Sequence, residues 1–137
     1  DDKLFFKELF YERKLTNDEI AKRFSELGID RQTSIYADSS EPKSITEIHR
    51  FGWNIKPATK GRDSINIGID ILRRYKLYVD KFSTNLIKEF RSYKYEVTKD
   101  NIGTTKPMDK DNHGIDAIRY ACVMNLIKPN FGKYYIH

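Results

Sequence analysis

An α/β fold with parallel strand pairing is what this sequence predicts, and three observations carry the prediction. Short runs of β-branched and aromatic residues alternate with segments whose apolar residues recur at helical spacing. Helix-start signals, Thr16-x-x-Glu19 and Pro42 among them, fall between those runs. The 137 residues, 39% hydrophobic and 33% charged, suit one domain with a sizeable core. Strand, helix, strand, helix in succession implies crossover connections, which join parallel neighbours.

Leu4 to Arg13, dense in aromatic residues and bounded by charge, reads as a half-buried strand. Thr16 and Glu19 form a capping box that opens a helix with Ile20, Phe24 and Leu27 inward, and Gly28 stops it. Ser34 to Asp38 is a short strand ending in a carboxylate. Ser39-Ser40-Glu41-Pro42 turns the chain into a helix with Ile45 and Ile48 inward, ended by Gly52. Trp53 to Lys60 gives another short strand, which Pro57 confines to an edge or an end. A helix from Ser64 to Tyr75 directs Ile65, Ile69 and Leu72 inward, and Leu77-Tyr78-Val79 is the next strand. Ser83 or Thr84 caps a helix that buries Leu86, Ile87 and Phe90. Tyr95 to Met108 reads as a hairpin around the turn-rich tip Lys99 to Gly103. Asp109 or Asp111 caps a last helix whose buried face is Ile115, Ile118 and Cys122.

Chemistry concentrates at a few points. In open α/β folds the carboxyl ends of strands carry the site, and Asp38 lies at such an end; helix capping is its plainer reading. His113 and Asp116, three apart, share one side of a helical first turn, and Arg119 extends the stripe. A carboxylate offers hard oxygen to a divalent cation, and an imidazole ligates or moves a proton. The plainer reading is that Asp116 pairs with Arg119 while His113 caps the helix. Lys60-Gly61-Arg62 at a helix start suits a phosphate, because free N–H groups and the helix dipole favour anions; a solvated turn is an equal reading.

Between Lys56 and Lys94 ten Lys or Arg stand against four Asp or Glu, an excess of +6 that exceeds the +5 of the whole chain. Tyr75, Tyr78, Tyr93 and Tyr95 are interleaved with them, a mixture suited to a phosphate-backbone groove. A pI near 9.2 leans the same way. No run of about 18 apolar residues points to a membrane span. Asp1-Asp2-Lys3 does not read as a secretory signal, and the single Cys122, expected in the core, excludes an internal disulfide and fits a reducing compartment. No Gly-x-x-x-x-Gly-Lys-Ser/Thr phosphate loop, and hence no recognisable ATPase, occurs in the chain.

Four stretches in fixed order carry a family resemblance: Ile35-Tyr36-Ala37-Asp38-Ser39-Ser40-Glu41-Pro42, Ser64-Ile65-Asn66-Ile67-Gly68-Ile69, Ser83-Thr84-Asn85-Leu86-Ile87-Lys88-Glu89-Phe90 and Asn112-His113-Gly114-Ile115-Asp116-Ala117-Ile118-Arg119-Tyr120. Together they resemble the C-terminal nuclease domain of the large terminase subunit of tailed bacteriophages and prophages, over roughly residues 3 to 126. The resemblance implies an RNase H-like mixed sheet flanked by helices, residues 1–137 being a single partial domain that lacks its N-terminal strand or strands. It implies a metal-dependent endonuclease that cuts concatemeric double-stranded DNA with two Mg²⁺ or Mn²⁺ ions, one activating water and one stabilising the leaving oxygen.

By position, Asp38 matches the family's second catalytic carboxylate, Asp116 its third and His113 the accompanying histidine, all three as metal ligands. Nothing matches the first carboxylate, so this chain alone is expected to cut little, and a partner strand is expected from preceding residues or from a second copy. Lys60, Arg62, Arg73, Arg74, Lys88, Arg91 and Arg119 are the expected DNA contacts. The implied partners of the intact protein are an N-terminal ATPase domain, a small terminase subunit and a portal, with no membrane. The implied location is the bacterial host cytoplasm, at the procapsid during packaging, without secretion. Two other readings remain open: another RNase H-like nuclease of the resolvase or transposase type, and a basic DNA-binding module whose Asp38 and Asp116 are structural.

Overall fold

The computed structural model describes residues 2–59, 64–99 and 113–126. Strand β1 (Lys3–Phe6) leads to helix α1 (Asn17–Glu26), strand β2 (Ile35–Ala37) to α2 (Pro42–Arg50), and β3 (Ile55–Pro57) to α3 (Ser64–Arg73). Strand β4 (Lys76–Val79), α4 (Thr84–Lys99) and α5 (His113–Leu126) complete the order. The alternation and the parallel pairing are as expected. Among the described residues the strands form two separate pairs: β1 lies parallel to β4, Lys3 opposite Lys76, and β2 lies parallel to β3, Ile35 opposite Ile55.

Local signals explain the first two helices. Glu19 N–H donates to the Thr16 hydroxyl at 3.1 Å while Thr16 N–H donates to the Glu19 carboxylate at 2.8 Å, so the capping box closes both ways. That bond to the Thr16 backbone is the main reason the Glu19 carboxyl lies below its ordinary pKa. At the other end Gly28 takes φ +71°, and the N–H groups of Gly28 and Ile29 return to Ser25 and Phe24 carbonyls. This left-handed closure is open to glycine without the penalty a Cβ brings. Leu27, expected inward, is exposed, and Ala21 takes the buried position instead. In α2, Pro42 starts the helix and Ile45 and Ile48 are buried, as the spacing predicts.

Three elements differ from expectation. Strand β1 stops at Phe6 because the chain beyond it turns to α4. Glu8 N–H donates to the Ser83 hydroxyl at 2.8 Å, and the Glu8 carboxylate accepts from Leu86 N–H at 3.0 Å and from the Asn85 amide at 2.8 Å. Ser83 therefore caps α4 through its carbonyl, which accepts from Ile87 N–H, while Glu8 supplies the side-chain cap. In α3 the inward residues are Gly68, Ile71 and Leu72, and Ile65 is 44% exposed. Helix α4 runs on through Lys99, so Tyr95 to Thr98 is helical rather than the first arm of a hairpin. The remainder of that hairpin, the capping residues Asp109 and Asp111, and the Lys60-Gly61-Arg62 turn lie outside the described residues.

Two apolar cores result. Ala21, Phe24, Ile45, Ile48, Trp53 and Ile55 form one between α1, α2 and the β2–β3 pair, with Trp53 edge-on to Phe24 at 5.2 Å. Ile71, Leu72 and Cys122 form the other, joined by Leu4 and Phe6 of β1. Helix α5 packs on α3, on α4 and on β2, and so spans both halves. The Cys122 thiol lies in the second core, where burial pushes its pKa up to about 11.

Candidate functional site

The contact of α5 with β2 brings together the segments that carry the expected carboxylates: Asp38 directly follows β2, and Asp116 lies in the first turn of α5. Asp38 shapes the turn out of its strand. Its Oδ1 accepts from the Ser40 N–H at 2.9 Å and the Ser40 hydroxyl at 2.8 Å, and its carbonyl accepts from Glu41 N–H. His113 is the first residue of α5 and exposed. Asp116 is partly buried, and one of its oxygens, Oδ1, accepts from Arg119 Nη2 at 2.6 Å.

Arg119 departs from expectation. It is buried, at 6% exposure, its stem is packed against Gly68 of α3, and its guanidinium is held by Asp116. It is thus a buried partner of the Asp116 carboxylate rather than a phosphate contact at the surface. Its Nε is buried without a hydrogen-bond partner. The other expected DNA contacts within the described residues, Arg73 and Arg74 on or after α3 and Lys88 and Arg91 on α4, are exposed. Lys60 and Arg62 lie outside the described residues.

Two further groups on α4 lie beside these residues, neither of them one to which the resemblance assigns a site role. Glu89 of α4 is buried, and its carboxylate accepts from Gly114 N–H at 3.1 Å, Ile115 N–H at 3.0 Å and the Tyr11 hydroxyl at 2.6 Å. Tyr93, one turn further along α4, feels both charges of the pair. Burial raises its pKa most, the Arg119 charge acts against the rise, and the Asp116 charge adds to it. Within the basic run, Glu89 has the look of a solvated helix acid, and only the tertiary structure reveals what it touches.

A family model for the terminase RNase H-like domain matches residues 1–123. This chain belongs to that family. It is 41% identical over 91 residues to the terminase large subunit of Bacillus phage SPP1, a match spanning 64% of this chain and 22% of that protein. It is 30% identical over 113 residues to the PBSX phage terminase large subunit of Bacillus subtilis (strain 168), spanning 82% of this chain and 26% of that protein. The chain thus spans about a quarter of the length of the curated relatives it matches. The nuclease domain of the SPP1 large terminase, solved with bound Mn, superposes with a TM-score of 0.71 at 30% identity, covering 83% of this chain and 66% of that one.

The terminase domain described here is therefore RNase H-like. Its donor set has the right chemistry for a hard divalent ion, carboxylate oxygen with an accompanying imidazole. Among the described residues, however, no three of His, Cys, Asp or Glu converge closely enough to hold one. The donors fit such an ion in kind, and those among the described residues fall short of it in number. None of the described helices is long and apolar enough to cross a membrane.

Proposed function

We propose that this chain is the metal-dependent endonuclease domain of a DNA-packaging terminase, hydrolysing phosphodiester bonds of concatemeric double-stranded DNA. The observation that carries the reading is the packing of α5 on β2, which supports a common site for Asp116 and Asp38, within a fold that matches the Mn-bound SPP1 nuclease domain. Asp38, Asp116 and His113 would hold Mg²⁺ or Mn²⁺, two ions in all, which when bound supply a metal-activated water and neutralise the leaving oxygen. His113 is exposed and can exchange a proton with the solvent or with a departing oxygen. Arg119 holds Asp116 Oδ1 in one orientation, which limits the reach of that carboxylate before any cation arrives. Exposed Arg73, Arg74, Lys88 and Arg91 suit sequence-independent contact with phosphates. In the intact protein an N-terminal ATPase, a small subunit and a portal are the partners this reading implies, in the host cytoplasm at the procapsid.

The test is plasmid digestion with Mn²⁺ by this chain and by the full-length protein, with Asp116→Ala in the full-length form as control. The expected result is cutting by the full-length protein, loss in Asp116→Ala, and little cutting by residues 1–137, which carry no match to the family's first carboxylate. Equal activity of the two forms would sink the residue assignment.

A second reading is favoured by the Asp116–Arg119 ion pair, which gives the acid a structural role, and by the lack of a three-ligand cluster among the described residues. In that reading the domain binds DNA without cutting it. Its DNA affinity and its Asp116→Ala variant would then be indifferent to Mn²⁺.

A further inference from the structure

We propose that Glu89 is a positioning residue for the site: its buried carboxylate sets where α5 begins and how it is rotated, and so aims His113 and Asp116. The inference rests on the nuclease reading above. A helix leaves its first N–H groups without partners inside the helix, and a side chain just before the helix usually takes one of them. Here a neighbouring helix takes two. Glu89 Oε2 accepts from Gly114 N–H, and Oε1 accepts from Ile115 N–H, the second and third residues of α5. Two oxygens of one planar group on two successive N–H groups fix the rotation of α5 about its axis and its offset along it. His113 comes just before these two residues and Asp116 just after them, so both side chains inherit that rotation.

Three further observations show that the contact is built in. The Tyr11 hydroxyl donates to Oε2 at 2.6 Å and thereby holds the Glu89 carboxylate from the segment after β1. Glu8, in that same segment, accepts from Leu86 N–H and from the Asn85 side-chain amide at the start of α4, so the helix that bears Glu89 is itself anchored. Gly114 permits the close approach: a Cβ there would stand 2.9 Å from Leu86 Cδ1 and 3.3 Å from both Glu89 oxygens. The negative group also lies at the positive end of the α5 dipole, which favours the same arrangement.

Glu89→Gln in the full-length protein is the test. The substitution keeps the shape and replaces one acceptor oxygen with an amide that donates towards groups that are themselves donors. Mn²⁺ affinity, measured by direct titration without DNA, and the turnover of plasmid cutting are each expected to fall about 10-fold or more, the usual scale for residues that orient metal ligands. The KM for DNA should stay unchanged, and the Gly114 and Ile115 amide protons should exchange faster with solvent. Tyr11→Phe withdraws only one bond and should produce a smaller fall in the same quantities. Thr16→Ala, which weakens the cap of α1, should lower stability and leave Mn²⁺ affinity and turnover as they were. A folded Glu89→Gln protein with parental Mn²⁺ affinity and turnover overturns the proposal. If Glu89→Gln does not fold, a Tyr11→Phe protein indistinguishable from the parent overturns it as well. A full-length parent that neither binds Mn²⁺ nor cuts DNA would instead overturn the nuclease reading, and persistence of both in Asp116→Ala would overturn only the assignment of Asp116, whatever the Glu89 variants do.

Discussion

Asp116 has two demands on it, and the second is measurable without DNA. Its partner Arg119 is buried, and the Arg119 Nε already lacks a hydrogen bond. Asp116→Ala removes the acceptor from a charge that cannot reach water, which costs about 1–3 kcal/mol of stability. Urea unfolding should show that loss, and adding Arg119→Met should recover part of it by withdrawing the stranded charge. Cys122 gives a second prediction. Its folded pKa of about 11 lies above the ordinary thiol value, so the folded chain keeps a proton that the unfolded chain gives up. The resulting stability is complete below about pH 8.5 and is lost as pH rises through the folded value. At pH 8, alkylation of Cys122 should be slow in the folded protein and rapid in urea. Asp38, His113 and Asp116 stand out in the sequence because a strand end and a helical spacing are local signals. The contacts of Glu89 are not legible there, because its partners lie on another helix and in the segment after β1. Arg119 carries the same spacing signal, yet nothing local tells whether its guanidinium points outward or is buried.

At the scale of elements, the close approaches between helices make the sharpest prediction. Alanine in place of glycine within an exposed helix ordinarily gains about 1 kcal/mol. At Gly68 a Cβ would stand 2.7 Å from Arg119 Cγ, an atom near the root of a buried side chain, and at Gly114 it would meet Leu86 at 2.9 Å. Gly68→Ala and Gly114→Ala should therefore each destabilise by about 1–3 kcal/mol, as overpacking does, and denaturant midpoints will show the sign. Where boundaries rest on neighbours in sequence they could be read in advance: the Thr16–Glu19 box, the Gly28 stop and Pro42 all stand as expected. Where tertiary packing decides, they could not. Aromatic density alone would extend β1 to Arg13, but Glu8 and Tyr11 leave the sheet to hold α4. Tyr-Glu-Val-Thr at 95–98 favours a strand by composition, and α4 continues through it.

For the molecule as a whole, charge makes the testable statement. Lys88 and Arg91 are exposed on α4, within the run of +6. Duplex DNA binding, followed by fluorescence anisotropy, should weaken steeply with salt. Lys88→Ala with Arg91→Ala should lower the slope by about one for each phosphate that is no longer neutralised. A fall in affinity without a change in slope would mean these residues act through the fold. The two parallel pairs also set a timetable. The first core draws on residues from Phe10 to Ile55, all of which are made early. Strand β1 is made before any of them, yet its partner is β4, with Lys3 opposite Lys76, and its covering helix α5 comes later still. Pairings so distant along the chain form slowly. During synthesis Leu4, Phe5 and Phe6 are made before β4 and wait for that partner while the residues between them are translated. That interval is when a holdase chaperone has the most apolar strand to grip, and slower translation between β3 and β4 lengthens it.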